Sequence, residues 1–489
     1  MVVSMAPSTI LSLSAAELPI WLVVAGAVVA SIVLLVASVR RHVAKSTPPP
    51  PHLYTFPPSR RHVLSSFPVQ FEKFSVADQA DISPQVLQGR ALTTTRKADL
   101  SVDNFYTPTG FSTQEIRSLV GHFPDYANLS GVPNPQPVPS SWDINKAIFR
   151  PFRPFRWNYT QNMALMKYNP DFWVELEQNY LPTMAARQKL LSEHPDRIFF
   201  QGPGADLACR ELMEMLLQFL CRRYPSHFHL SNDNTLFHNL LLATVTDLTS
   251  TPPLKVVFQN VPEDYAIMLR NQEDGFYYLR AASVCSSVGW HIAQHKDQPM
   301  KKIHTHVPDA DKMQFSLDRW FAKLPTDKPV MRASWSIEDW QAMFSSPGVG
   351  VFAGENEKNW SRSAFADRPG ELTVKELKLR CDAQTLRRLP VSGAVVFNFK
   401  AIFTPLEELR DEPYVPALLH KVLIEGKENL INYKSERNVK NVALEALKQW
   451  AARQVEQGIV PADWEVSTLE QSPFYPGWEE NWKKKQGIL

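Results

Sequence analysis

One stretch constrains this chain more than any other. Leu18 to Val39 reads LPIWLVVAGAVVASIVLLVASV and carries no charged residue. Its 22 residues (18 to 39) are enough to cross a ~30 Å hydrocarbon core at ~1.5 Å per residue. Trp21 stands near one end, where an interfacial aromatic belongs. A cleaved signal peptide would need a basic leader ahead of the apolar run. Residues 1–17 contain no Lys or Arg, and the first charge is Glu17. The positive residues follow instead: Arg40, Arg41, Lys45, Arg60 and Arg61. The sequence therefore predicts a single transmembrane helix at 18–39, with 1–17 as a short non-cytosolic tail. By the positive-inside rule the soluble part faces the cytosol, with the endoplasmic reticulum as the candidate membrane. Cys209, Cys221, Cys285 and Cys381 are scattered without a CxxC pair, which suits reduced core thiols. The sequons at Asn128, Asn158 and Asn359 would then go unused.

The remainder has an ordinary globular composition, 44% hydrophobic and 21% charged. Lys plus Arg is 52 and Asp plus Glu is 50, a net charge of +2, so no field exists to hold nucleic acid. Proline is in excess, 39 residues against 18 glycines. Part of it lies in TPPPPHLYTFPP (47–58), whose proline run favours a stiff polyproline II spacer. Another part lies in VPNPQPVPSS (132–141). These clusters divide the chain into a proline-rich stalk and linker region (40–144), a domain at 145–435 and a helical, exposed C-terminal tail at 436–489.

Within the domain, residues 169–194 show apolar spacing of three to four and predict a helix kinked or divided at Pro182. ADLACRELMEMLLQFLCRRY (205–224) predicts a second helix, ended by Pro225. Residues 254–290 read as strands, with YAIMLRN and FYYLRAASVC forming a hairpin around Gly275. GAVVFNFKAIF (393–403) reads as a central strand, and helical character returns at 415–455. The expected class is α+β, a small antiparallel sheet flanked by helices.

Signatures for nucleotide, flavin, nicotinamide and iron–sulfur sites are absent, and Gly348–Gly354 has loop spacing. Two patterns remain. GWHIAQHKDQPMKKIHTHVP (289–308) holds His291, His295, His304 and His306. His304 and His306 would share a face of a strand, and His291 and His295 a face of a helix. RPFRPFRW (150–157) alternates Arg150, Arg153 and Arg156 with aromatics, a composition suited to carboxylates and phosphates or to a folded-on arm with solvated arginines. QTLRRLP (384–390) is a further paired-arginine segment.

These pieces occur in one order: RPFRW (153–157), FWVELEQNYL (172–181), RQKLLSEHPDR (187–197), PGADLACREL (203–212), RRYP (222–225), PEDYAIML (262–269), VGW (288–290) with KKIHTHVP (301–308), RASWSI (332–337), QTLRRLPVSGAVVF (384–397) and PLEEL (405–409). The series resembles the haem-dependent oxidative N-demethylase-like family, which includes relatives of a dimethylamine monooxygenase haem subunit. The resemblance implies a PAS-like fold, a haem b cofactor and O2-dependent N-demethylation of small amines with electrons from an external reductase. It implies His304 as the axial haem ligand. It offers Arg153, Arg156, Arg332, Arg387 and Arg388 for the haem propionates or for positioning. Ser334, Trp335, Glu263 and Tyr265 become candidate catalytic residues, with Asp264, Tyr277 and Trp290 as further lining. The chain departs from the family at His306 (commonly Pro), Ser334 (commonly Asn) and Ala383 (commonly Arg). Those departures leave open a non-catalytic haem sensor or carrier, or a tethered binding domain that has lost haem.

Overall fold

A computed structural model describes residues 55–61, 107–160, 162–271, 275–287, 291–303, 310–339, 345–346, 349–350, 371–435 and 437–489, with Ser31. Among the described residues no helix is long and apolar enough to cross a membrane. Apart from Ser31, the expected span at 18–39 lies outside them. The chain divides into compact units at 1–48 and 49–489, and the architecture below is that of the second.

The strands are β1 (Met166–Lys167), β2 (Phe199–Gln201), β3 (Phe228–Ser231), β4 (Leu236–Asn239), β5 (Thr244–Asp247), β6 (Asp264–Arg270), β7 (Tyr277–Ser283), β8 (Val330–Glu338), β9 (Ser345–Ser346), β10 (Val349–Gly350), β11 (Lys378–Arg388) and β12 (Val395–Pro405). The helices are α1 (Thr113–Leu119), α2 (Tyr126–Ser130), α3 (Tyr180–Glu193), α4 (Pro195–Ile198), α5 (Asp206–Arg223), α6 (Pro253–Asn260), α7 (Met300–Ile303), α8 (Ala310–Lys323), α9 (Val415–Glu425), α10 (Glu428–Lys434), α11 (Arg437–Glu456) and α12 (Trp478–Lys485). The class is α+β, as expected, but the sheet is larger than the sequence indicated. Seven strands run in the order β1-β8-β11-β12-β6-β7-β2, every neighbour antiparallel. β3, β4 and β5 form a separate meander.

The predicted hairpin is β6–β7, the predicted central strand is β12, and α5 occupies the predicted helix. Three local expectations change. Residues 169–179 are not helical beyond a short 3-10 turn, Pro170–Phe172, and α3 starts only at Tyr180. Pro182 thus sits in the first turn, where its missing N–H leaves no bond unmade, rather than at a kink. Residues 253–260 are helix α6, not strand, because Pro253 opens it and Leu254, Val257 and Phe258 bury one side. His291 and His295 flank a 3-10 turn, Ile292–Gln294, and His291 caps it reciprocally with Gln294. They do not share a helix face.

Packing on both faces of the sheet explains why alternation was hard to read. The largest core cluster joins Leu212, Leu216 and Leu220 of α5 to Tyr265, Ile267, Ala383 and Val396. Residues read as linker contribute to it: Phe111, Ile116, Tyr126 and Val132 are all buried there. On the opposite face, Met268, Leu386, Val395 and Phe397 meet Met300 of α7 and Leu317 and Phe321 of α8. A third cluster joins Trp335 and Leu379 to Leu419 and Val422 of α9, Ala443 and Leu447 of α11, and Tyr475. The C-terminal segment therefore packs into the core, and Trp482 Nε1 donates to the Ile148 carbonyl at 2.9 Å.

Candidate functional site

Residues paired across an antiparallel ladder share a face of the sheet. Arg332 pairs with Gln384, which pairs with Phe399; Ser334 pairs with Asp382; Leu386 pairs with Phe397. These side chains form the face covered by α7 and α8. Ala333, Ala383 and Lys400 belong to the other face, with Tyr265, Asn398 and Thr385. The five predicted arginines consequently do not converge on one group.

The second face borders a cavity of about 950 Å³ whose lining includes Arg153, Glu177, Arg187, Glu263, Lys400 and Trp482. It opens where β12 runs past the start of β6, since their ladder stops at Phe399 and Asp264. Four buried ion pairs surround it. Arg150 holds Glu175 at 2.7 Å, Arg187 holds Asp264 at 2.5 Å, Lys400 holds Glu263, and Arg153 grips Glu412 with two bonds of 2.6 Å. Arg153 is thus spent within the protein, and the charges at this cavity are largely internally balanced. Glu263 also accepts from Asn398 Nδ2 and from the Glu175 N–H at 3.0 Å. Burial pushes its carboxyl above the usual range, and Lys400 opposes that shift. Tyr265 is fully buried beside it, and burial drives its phenol well above 10. Arg387 stacks over Trp173 at 4.1 Å, and its Nε has no hydrogen-bond partner among the described residues. Desolvation lowers its pKa against the pull of Tyr168.

On the first face Arg388 is also spent. It donates to the carbonyls of Leu324 and Gly393 at 2.6 Å, to that of Phe321, and to Tyr277 Oη at 3.1 Å. Arg332 differs. Its Nε is buried with no hydrogen-bond partner, and no ion pair holds it among the described residues. Burial lowers its pKa, and the charge of Arg156 lowers it further. β1 covers β8 only at Val330 and Met331, so from Arg332 onward the outer edge of β8 has no strand neighbour among the described residues. Residues 155–159 and α10 pack beside it. Phe155 and Tyr159 approach the Trp335 ring at 5.3 and 5.7 Å. Lys434 Nζ donates to Ser334 Oγ at 2.7 Å and lies 5.9 Å from the Trp335 ring. Arg156 makes one bond, to Asn162 Oδ1 at 3.0 Å, and burial lowers its pKa. Trp335 is 2% exposed, and its indole N–H has no hydrogen-bond partner among the described residues.

Of the other expected site residues, Asp264 is committed to Arg187 and to the Cys285 and Ser286 N–H groups. Tyr277 accepts from Arg388. His304, His306 and Trp290 lie outside the described residues. Lys434 was invisible to sequence reading because it meets Ser334 across 100 residues of chain. The same holds for Glu175, Asn398 and Lys400, which determine the state of Glu263.

The chain matches the family described as haem-dependent oxidative N-demethylase, alpha subunit-like, over residues 164–444, more than half its length. That range contains β1 through α10, hence the whole seven-stranded sheet and the helices on both faces. The protein belongs to the haem-dependent oxidative N-demethylase alpha subunit-like family.

Proposed function

We propose that the protein is a membrane-anchored haem b monooxygenase that N-demethylates a small alkylamine, with electrons from a separate reductase. The observation carrying this reading, beyond family membership, is Arg332. On the sheet face that α7 and α8 cover, its buried Nε has no hydrogen-bond partner and no ion pair holds it among the described residues. β6, β7, β8, β11 and β12 form a five-stranded antiparallel set with α7 and α8 inserted between β7 and β8, which supports a PAS-like domain.

The residues present fit haem. A guanidinium suits a propionate bidentately, and Leu317, Phe321 and Phe397 supply an apolar wall. In this reading Arg332 would hold a haem carboxylate, whereas Arg153 and Arg388 act as structural clamps. His304, in the segment between α7 and α8, would ligate the haem iron. When bound, haem supplies the redox and O2 chemistry that side chains lack. The chain itself positions the amine, keeps water from the apolar face and receives electrons from another protein, since it carries no flavin or nicotinamide motif. Residues 18–39 anchor it, with 49–489 in the cytosol.

The test is the absorption spectrum of the purified full-length protein, wild type against His304→Ala. A Soret band that shifts or vanishes in the variant is expected. Its absence from the wild type, even after haem addition, would refute haem binding. Formaldehyde release from an alkylamine with a surrogate reductase separates an enzyme from a haem sensor or carrier.

A further inference from the structure

We propose that the cavity beside β12, on the sheet face turned away from α7 and α8, is a second ligand site that takes an organic ammonium ion, with Glu177 as its counter-ion. The site is separate from the haem and does not depend on the demethylase reading. Charge balance around the cavity points to a cation. Arg150, Arg153, Arg187 and Lys400 line it, and each is matched by one buried carboxylate: Glu175, Glu412, Asp264 and Glu263. At the rim Lys485 holds Glu408 at 2.7 Å, and Lys146 is exposed, its charge acting on Asp143. Glu177 is the carboxylate left over. It is 9% exposed and lines the cavity, yet no ion pair holds it among the described residues. Both hydrogen bonds of its side chain, from the Asn179 N–H and Nδ2 at 3.0 Å, end on Oε2, and Oε1 accepts none among the described residues. The charge of Lys400 reaches Glu177, but Lys400 is already held by Glu263 and the Glu175 carbonyl. Burial raises the Glu177 pKa in spite of Lys400 and Asn179, as expected of a carboxylate short of a cation. A ligand anion would find every buried lining cation already paired with a carboxylate. An ammonium ion instead supplies the missing partner, and Phe149, Tyr475 and Trp482 in the same lining offer rings to its organic part. At about 950 Å³ the cavity has the size of an organic ligand's site, far beyond that of a bare ion.

The test is calorimetric titration of the full-length protein with 2-phenylethylamine, and with 2-phenylethanol as its neutral counterpart, in wild type, Glu177→Gln and Thr183→Phe. Glu177→Gln keeps an acceptor for Asn179 and removes the charge. Thr183→Phe narrows the cavity from α3 and leaves Glu177 in place. The wild type is expected to bind the amine at least about 10-fold more tightly than the alcohol, the scale of one charge-assisted hydrogen bond. Glu177→Gln should erase that preference, and Thr183→Phe should weaken both ligands. Amines also ligate haem iron, so His304→Ala is titrated alongside, and the Glu177-dependent event must survive in it. Unchanged amine affinity in Glu177→Gln overturns the proposal, as does equal binding of the alcohol by the wild type. Loss of the event in His304→Ala overturns it too, by giving the amine to the iron, and so does equal competition by potassium chloride, which would reduce the site to one for a bare ion. Should one variant melt early, the other variant and the alcohol decide. A wild type without a Soret band sinks the demethylase reading and leaves this titration as it stands.

Discussion

Glu214 lies in the middle of α5 and is fully buried, yet no ion pair holds it among the described residues, and the charge of Arg210 only partly offsets its burial. It accepts from Tyr126 Oη and from the Gly121 N–H, both at 2.6 Å. Burial raises its pKa from 4.5 to about 7 against those bonds. The folded state therefore holds a proton that the unfolded chain has released. The resulting stability is complete below pH 4.5 and is lost as pH rises through 7. With those two pKa values, the group alone removes roughly 2.5 kcal/mol between pH 5 and pH 8. Glu211, one turn earlier, accepts from the Val391 and Ser392 N–H groups and is also raised to about 7, so it adds a second slope of the same sign. Glu214→Gln removes one of them and also relieves Glu211 of a neighbouring charge that raises its pKa. Its carbonyl can still accept from Gly121, and its amide can donate to Tyr126 Oη, which turns its own hydrogen away. Stability near pH 5 should change by about 0.5 kcal/mol or less, and stability at pH 8 should rise by about 2 kcal/mol. Urea unfolding of the full-length protein, followed by far-UV circular dichroism at constant m from pH 5 to pH 8, measures both. A variant with the wild-type pH slope, or one less stable than wild type at pH 8, would show that Glu214 is ionised and well solvated in the fold.

Other outcomes follow from the same geometry. Glu412→Gln strands Arg153 as a buried unpaired charge and should destabilise by about 3–5 kcal/mol in the same urea assay. Tyr180→Phe removes the hydroxyl that donates to the Asn260 carbonyl and accepts from Asn239, both at 2.8 Å; a loss of about 1–3 kcal/mol is expected. Gly110→Ala drives a Cβ into the Phe56 ring at a φ of +83°, so it should release residues 55–61, measured as faster proteolysis there. Mass spectrometry of the native protein should find no glycan at Asn128, Asn158 or Asn359, and a glycan at any of them would reverse the proposed orientation.

Much of the fold was legible wherever local pattern and burial agree. α5 was readable because one broad apolar face meets the core and Pro225 follows it. β6–β7 were readable from their apolar runs around a glycine turn. β8 and β11 were not, because both faces are covered and their arginines, serines and aspartate interrupt the apolar pattern. The 170–179 segment imitated a helix: Trp173, Val174 and Leu176 are all buried, but Tyr224 Oη, not a helical ladder, serves the Leu176 N–H and the Val174 carbonyl.

The candidate site divides in the same way. Sequence alone determined the family, through an ordered series of short motifs, and it set the uncharged run at 18–39, because both are properties of residues close together in the chain. Which arginine is spent and which is available was decided only in three dimensions. Arg387 and Arg388 are neighbours, yet the pleat sends them to opposite faces, one onto Trp173 and the other into a nest of carbonyls. Arg153 meets Glu412 across 259 residues, whereas Arg332 Nε meets no acceptor among the described residues. The charge of a side chain is written in the sequence, but its partner is not, because partners are set by sheet register and by which helix covers the face.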